Sequence, residues 1–385
     1  KIPTIMSNNP LVKPFEYITK MFGIPSYDEL DPTFIIAISF PLIFGLMFGD
    51  IGHGLCLIIS GLIGASIYGK KKQKRQGRYY FCWILFYCGI GAIIGGFLYG
   101  EFFGHHEIFG IQLQPINIAG FVLYKPLENI LSVFKFAILI GVIQINLGWF
   151  LQMMNYWRNQ RKFMAFADSF LKILLLSGGT FLLFGFGFRF ESWLKPPFPI
   201  LLPLIPGVLL LVSKAIGRAL GVNYLKHESY GELFGEGFME TFETFLSILS
   251  NVASYVRILA LALAHISLMM MLEPIQELDL GWGPLTEVMK FIFIILGNFI
   301  IILFEGLLVI INDIRLHFYE FFFKFFQGKG IEYNPFNLNN KFSIIEFIAE
   351  ESRDIIMEEL EREIKKQSGN TAIKEAIQEI TNKYM

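Results

Sequence analysis

The chain has 385 residues, 54% of them hydrophobic and only 17% charged, with a formal net charge of -1. A soluble domain carries nearer a quarter charged residues, so lipid must cover much of this apolar surface. The missing basic surplus argues against nucleic acid as a partner. Cys56, Cys82 and Cys88 lie in apolar stretches without CxxC spacing, which argues against a zinc site or a disulfide framework.

Residues 1–32 are mixed and Pro-punctuated and read as a cytoplasmic linker into the membrane. The sequence starts with Lys1 and shows no signal-peptide pattern, so it reads as a fragment without its N-terminal portion. Eight apolar runs follow, at roughly 33–49, 52–69, 79–99, 133–156, 164–188, 198–217, 238–272 and 287–326. Only Gly49, Asp50 and Ile51 separate the first two, which predicts a tight helical hairpin or one broken element, with Asp50 capping the helix that starts near Ile51. Gly91 with Gly95, and Gly96 with Gly100, predict close helix contact in the third run. His105, His106 and Glu107 are not read as a metal site, because adjacent histidines point in different directions. Residues 337–385 have helical apolar spacing with alternating charge, the pattern of a soluble amphipathic helical tail.

The fold class expected is therefore an all-α integral membrane protein with about eight transmembrane helices, the last two long and tilted. Residues 33–336 form the membrane domain. If the N-terminus is cytoplasmic, the loops on that side carry twelve basic residues (Lys70, Lys71, Lys72, Lys74, Arg75, Arg78, Arg158, Arg161, Lys162, Lys214, Arg218 and Lys226). The opposite loops carry four, Lys125, Arg189, Lys195 and Lys290. This bias puts both ends in the cytoplasm.

Ionisable residues inside the last two runs are the informative feature, because a charge near the bilayer centre costs about 2.5–3.5 kcal/mol. Arg257 lies mid-helix, and Glu243, Ser247, Ser250, Asn251, Ser254 and His265 recur around it at helical spacing. The last run repeats the theme with Asn298, Glu305, Asn312 and Arg315. A helix of roughly 35 residues is about 52 Å long, against a hydrocarbon core of about 30 Å, so both helices must tilt or project. Two such helices with facing polar stripes can line water-accessible pathways. The competing structural reading is an Arg257 that pairs with Glu305 or Glu243 and only locks two helices together.

At these residues the sequence resembles subunit a of V-type ATPases, called subunit I in archaeal and bacterial A/V-type enzymes. Four segments carry the resemblance: PFEYITKMFGIPSYDELDPT at 14–33, FPLIFGLMFGDIGHG at 40–54, SYVRILALALAH at 254–265 and FEGLLVIINDIRLHFYEFFFKFFQGKGIEYNPF at 304–336. The resemblance implies a non-catalytic stator subunit that conducts ions, most simply protons, past a rotor ring of proteolipid subunits. Arg257 would meet each ring carboxylate in turn, its permanent charge favouring the deprotonated form and separating two half-channels. Arg315 would assist it, Glu305 and His265 would belong to the outer half-channel, and Glu243 to the cytoplasmic access path. Ser247, Ser250, Asn251, Ser254, Asn298 and Asn312 would line those paths, and Asp50, His53 and His317 would be structural or accessory.

The family's subunit carries a long cytoplasmic N-terminal domain that contacts peripheral stalks, so those contacts are expected of the missing portion. No cofactor is expected, and no G-x-x-x-x-G-K-[ST] phosphate loop occurs. Short loops and a Lys- and Ile-rich composition point to an archaeal or bacterial plasma membrane. Two competitors remain at this level. A secondary transporter would predict internal repeats, and none is visible; a structural scaffold would predict that a charge-swapped Arg257/Glu305 pair still functions.

Overall fold

The computed structural model describes residues 3–69, 76–108, 111–112, 117–118, 120–187, 190–196, 198–221, 229–277 and 284–333. The expected amphipathic tail at 337–385 lies outside the described residues, as do the basic residues at 70–75. Among the described residues the molecule is almost wholly helical, and seven helices are long and apolar enough to cross a membrane. The chain is an integral, multi-pass membrane protein.

The short α1 (Glu16–Phe22) precedes the apolar α2 (Thr33–Met47), α3 (Ile51–Gly69) and α4 (Gln76–Tyr99). Next come α5 (Ile130–Arg158), α6 (Lys162–Phe186, with a π-helical stretch at Ala165–Phe170) and α7 (Leu201–Ala219). The bundle closes with α8 (Tyr230–Ser254), α9 (Val256–Met270) and α10 (Pro284–Arg315), the last running on into a π-helical segment at Leu316–Phe322. At 15 residues α2 spans about 22 Å, less than a bilayer core. One face of α2 is buried in the bundle at Phe40, Phe44 and Met47, while Phe34, Ile38 and Leu42 on the other are exposed.

Glycines let the first three apolar helices approach backbone to backbone. A methyl built on Gly91 would fall on the Pro41 carbonyl oxygen, and one on Gly95 would fall on the Gly45 carbonyl. On the other side of the hairpin, a methyl on Gly89 would sit 2.8 Å from the Gly54 carbonyl. The predicted small-residue contact of the third run is therefore with both α2 and α3. Between α2 and α3 the chain breaks at Phe48–Asp50, and the Ile51 amide donates to the Glu101 carbonyl at 3.1 Å.

Phe40, Phe44 and Phe48 meet Ile145 and Trp149 of α5, Tyr255, and Phe321 and Phe322 in one core cluster. The outer faces are apolar too: Ile59, Phe81, Phe181, Phe242, Phe291 and Phe299 are exposed. In lipid those side chains need no protein cover, while every backbone N–H inside a helix stays bonded. The segment expected as a linker is folded onto the bundle. Pro3–Thr4 pairs in parallel with Ile331–Glu332, Phe15 and Ile18 are buried, and the hydroxyls of Thr19 and Thr33 lie 3.0 Å apart.

Candidate functional site

The run expected as a single helix at 238–272 lies within one span, Tyr230–Ile275, whose regular helical bonding is interrupted at Tyr255, where the amide bonds back three residues to the Val252 carbonyl. Tyr255 is fully buried against Gly141 of α5, a position where any Cβ would strike its ring, and its hydroxyl donates to Gln144 Oε1 at 3.1 Å. This anchor sets the direction of Ser254 and Arg257, which flank the break.

The α8–α9 run is antiparallel to α10 and its continuation through residue 325, and three polar contacts join the two in order. Lys324 Nζ donates to Ser247 Oγ at 2.8 Å. Arg257 Nη2 lies 4.0 Å from Glu320 Oε1, with the Arg257 side chain 18% exposed and Glu320 buried. His265 Nδ1 lies 2.8 Å from Glu305 Oε2, both side chains buried. Arg257 thus pairs with neither Glu305 nor Glu243. Arg315 is exposed on the same side of the molecule's polar path, close enough for its charge to act on both Arg257 and Glu320.

Glu320 is the residue that helical periodicity misses. Five residues along an α-helix turn through about 140°, which would send Glu320 away from Arg315. The chain from Leu316 to Phe322 is π-helical, and closing the turn at i→i+5 brings residue 320 back toward residue 315. The signal available in the sequence was only its charge in an apolar run. The same holds for Asp168, Lys172 and Lys214 in α6 and α7. Lys172 pairs with Asp168 and, at 3.4 Å, with Glu240; Lys214 pairs with Glu236 at 3.0 Å and Glu240 at 3.2 Å.

Two cavities lie before and after Arg257 along the α8–α9 axis. One, of about 580 Å³, is lined by Lys172, Lys214, Glu240, Glu243, Ser247 and Lys324. The other, of about 320 Å³, lies toward the far end of α9 and is lined by Glu101, His105, His106, Glu128, Met269 and Glu273. Glu243 is exposed and stands about 21 Å before Arg257 along the helix axis, fourteen residues at a rise of 1.5 Å. His265 stands about 12 Å beyond it. Burial pushes the Glu101 carboxyl, in the loop after α4, up to about 8.

The remaining sequence-selected residues divide into two groups. Asn298 and Asn312 donate to helix carbonyls four residues earlier, Ile294 at 2.8 Å and Leu308 at 2.9 Å. Asn251 donates to Ser247 Oγ at 3.0 Å, the Ser254 hydroxyl donates to the Ser250 carbonyl at 3.1 Å, and Ser250 is exposed. Asn298 Oδ1 also lies 2.8 Å from His53 Nε2. Asp50 Oδ1 accepts from the His53 amide at 2.9 Å, the geometry of an N-cap on α3. His317 is fully buried, 3.0 Å from Asp313 and 2.8 Å from the Ser39 hydroxyl. His106 Nδ1 lies 2.9 Å from the Gly100 carbonyl.

The family described as the V-type ATPase 116 kDa subunit family matches residues 1–114 and 221–338. The A-type ATP synthase subunit I of Aeropyrum pernix is 28% identical over 363 residues, covering 87% of this chain and 51% of that protein. The subunit I of Archaeoglobus fulgidus is 30% identical over 379 residues, covering 88% and 54%. The V-type proton ATPase subunit a1 of Arabidopsis thaliana is 24% identical over 432 residues, covering 87% and 53%. The chain spans about half the length of the curated relatives it matches.

Proposed function

Since the chain belongs to the V-type ATPase 116 kDa subunit family, we propose that it is the ion-conducting stator subunit of a rotary ATPase or ATP synthase, non-catalytic by itself. The observation that carries the reading is an intramembrane arginine with a cavity that charged side chains help to line on either side of it along the α8–α9 axis. A continuous pore would short-circuit the ion gradient; two blind cavities separated by a fixed positive charge would not.

In this reading the cavity at Glu243, Ser247 and Lys324 is the cytoplasmic access path, consistent with the basic loops. A proton entering there passes to a rotor-ring carboxylate and rides the ring through lipid. It is released when that carboxylate arrives at Arg257, whose charge favours the ionised form. The Arg257–Glu320 separation of 4.0 Å is too long for a hydrogen bond, so the guanidinium is held in place yet keeps donors for a second carboxylate. Arg257 Nη1 is buried without a partner, in keeping with a group that waits for one. Exposed Ser250, Ala253, Ala260 and Ala264 surround Arg257 and leave room for a neighbouring helix to approach closely. The released proton leaves through Glu305 and His265 toward Glu101 and the smaller cavity. The partners are a ring of proteolipid subunits and the remaining subunits of the complex, peripheral stalks among them. The membrane is an archaeal or bacterial plasma membrane, with both chain ends in the cytoplasm.

The test is reconstitution of the whole complex, wild type and Arg257→Ala, with ATP-driven acidification read by a pH-sensitive dye. The variant is expected to assemble and to lose acidification. An assembled Arg257→Ala complex that acidifies at the wild-type rate refutes the mechanism. A wild type that moves charge only with sodium, and without a pH change, replaces the proton by sodium.

A further inference from the structure

Where α3, α9 and α10 meet the loop after α4, four buried side-chain atoms have no hydrogen-bond partner: His53 Nδ1, His265 Nε2, Glu305 Oε1 and Glu101 Oε2. The rings of His53 and His265 are 5.3 Å apart, and ligand atoms of Asp50, His53 and His265 all lie within 4.8 Å of one another. We propose that Asp50, His53 and His265 form a buried site for a divalent transition-metal cation of the zinc class.

The hydrogen bonds around the rings carry the argument. His53 directs Nε2 to the Asn298 amide oxygen at 2.8 Å, and His265 directs Nδ1 to the Glu305 carboxylate at 2.8 Å. Each ring therefore donates through one nitrogen to an oxygen acceptor, which fixes the tautomer and leaves the other nitrogen a lone pair. Metal-binding histidines are held in this manner, with the second N–H on a carboxylate or carbonyl. The two free nitrogens are the two that lack a partner. Buried ring nitrogens are ordinarily hydrogen-bonded, so two that converge without a protein partner call for an ion or water between them.

Asp50 supplies the anionic donor. Its two oxygens accept from the backbone amides of His53 at 2.9 Å and Gly104 at 3.2 Å, which orients the carboxylate without using all its lone pairs. The fourth position of a tetrahedron is left to water or to a further carboxylate; Glu101, whose Oε2 has no partner, lines the smaller cavity. Tetrahedral ligands on one zinc lie about 3.4 Å apart for bonds of about 2.1 Å, so side-chain movements of about 1–1.5 Å close these donors on an ion. Two imidazoles with one or two carboxylates favour zinc, cobalt or nickel over calcium or magnesium, which prefer all-oxygen shells.

The experiment is a Co²⁺ titration of the whole detergent-solubilised complex, followed by visible ligand-field absorption, for wild type, His53→Gln and Asn298→Ala. The wild type is expected to take up one more Co²⁺ per copy of this chain than His53→Gln, with a tetrahedral spectrum that His53→Gln lacks. Asn298→Ala keeps all three donors but frees the His53 ring, and should weaken that uptake 10- to 100-fold. If His53→Gln does not assemble, Asn298→Ala carries the comparison alone. Identical titrations for wild type and every assembled variant overturn the proposal and leave the cluster to protons and water. The readout is Co²⁺ uptake rather than acidification, so its failure is distinguishable from failure of the ion path; an ion on His265 Nε2 would leave proton exit to Glu305 and Glu101.

Discussion

The Arg257–Glu320 pair separates a structural role for Arg257 from a conducting one. At 4.0 Å, two unit charges interact by about 4 kcal/mol at an effective dielectric constant of about 20, and by about 1 kcal/mol in bulk water. Arg257 is 18% exposed and Glu320 is 5% exposed, so the pair lies closer to the first limit. Desolvation offsets much of this attraction, as in other buried pairs. Arg257→Ala leaves the buried Glu320 with Arg315 as its remaining cationic neighbour and is expected to destabilise the domain, while Arg257→Ala with Glu320→Gln removes both charges and regains most of that loss. A double-mutant cycle on thermal unfolding of the purified complex should therefore give a coupling of about 1–3 kcal/mol. ATP-driven acidification, measured on the same four proteins, should stay abolished in the double variant even though stability returns. A coupling near zero would refute the pairing, and a double variant that acidifies would reduce Arg257 to a counter-ion for Glu320.

Three further outcomes follow from the same geometry. Glu305→Gln weakens a charge-assisted bond to His265 of about 1.5–3 kcal/mol and should slow ion transport by at least tenfold, with Glu305→Asp retaining part of the rate. With Cys56, the exposed native thiol, replaced, Ser247→Cys should react with a membrane-impermeant thiol reagent added from the cytoplasmic side and Glu273→Cys from the other; labelling of both from one side would contradict two separate cavities. Gly91→Leu drives a side chain into the Pro41 carbonyl and should cost about 1–3 kcal/mol or more, seen as lost assembly, whereas Gly185→Leu meets open space and should assemble normally.

The number and order of the apolar helices and the importance of the last two were legible in the sequence, because lipid imposes long apolar runs and penalises every intramembrane charge. Periodicity also selected Glu305 and His265 as members of polar stripes, and both face the buried junction of α9 and α10. It could not reveal the break at Tyr255, because nothing in SYVRIL differs from an ordinary helix; the break depends on the Gly141 notch and the Gln144 acceptor in another helix. Glu320 was illegible for a related reason: a 3.6-residue period assigns its direction wrongly once the backbone turns π-helical. Distance was the third thing missing. Asp50 and His53 at the start of α3 lie far in the chain from His265 in α9, and only the close glycine-mediated approach of α2, α3 and α4 sets α3 where the two imidazoles meet. Composition and spacing thus determined a membrane-embedded helical bundle with a charged final pair, since those are properties of single helices in lipid. Which charge faces which was decided by tertiary packing, since a contact of 3 to 4 Å depends on the rotation and kinking of two helices together.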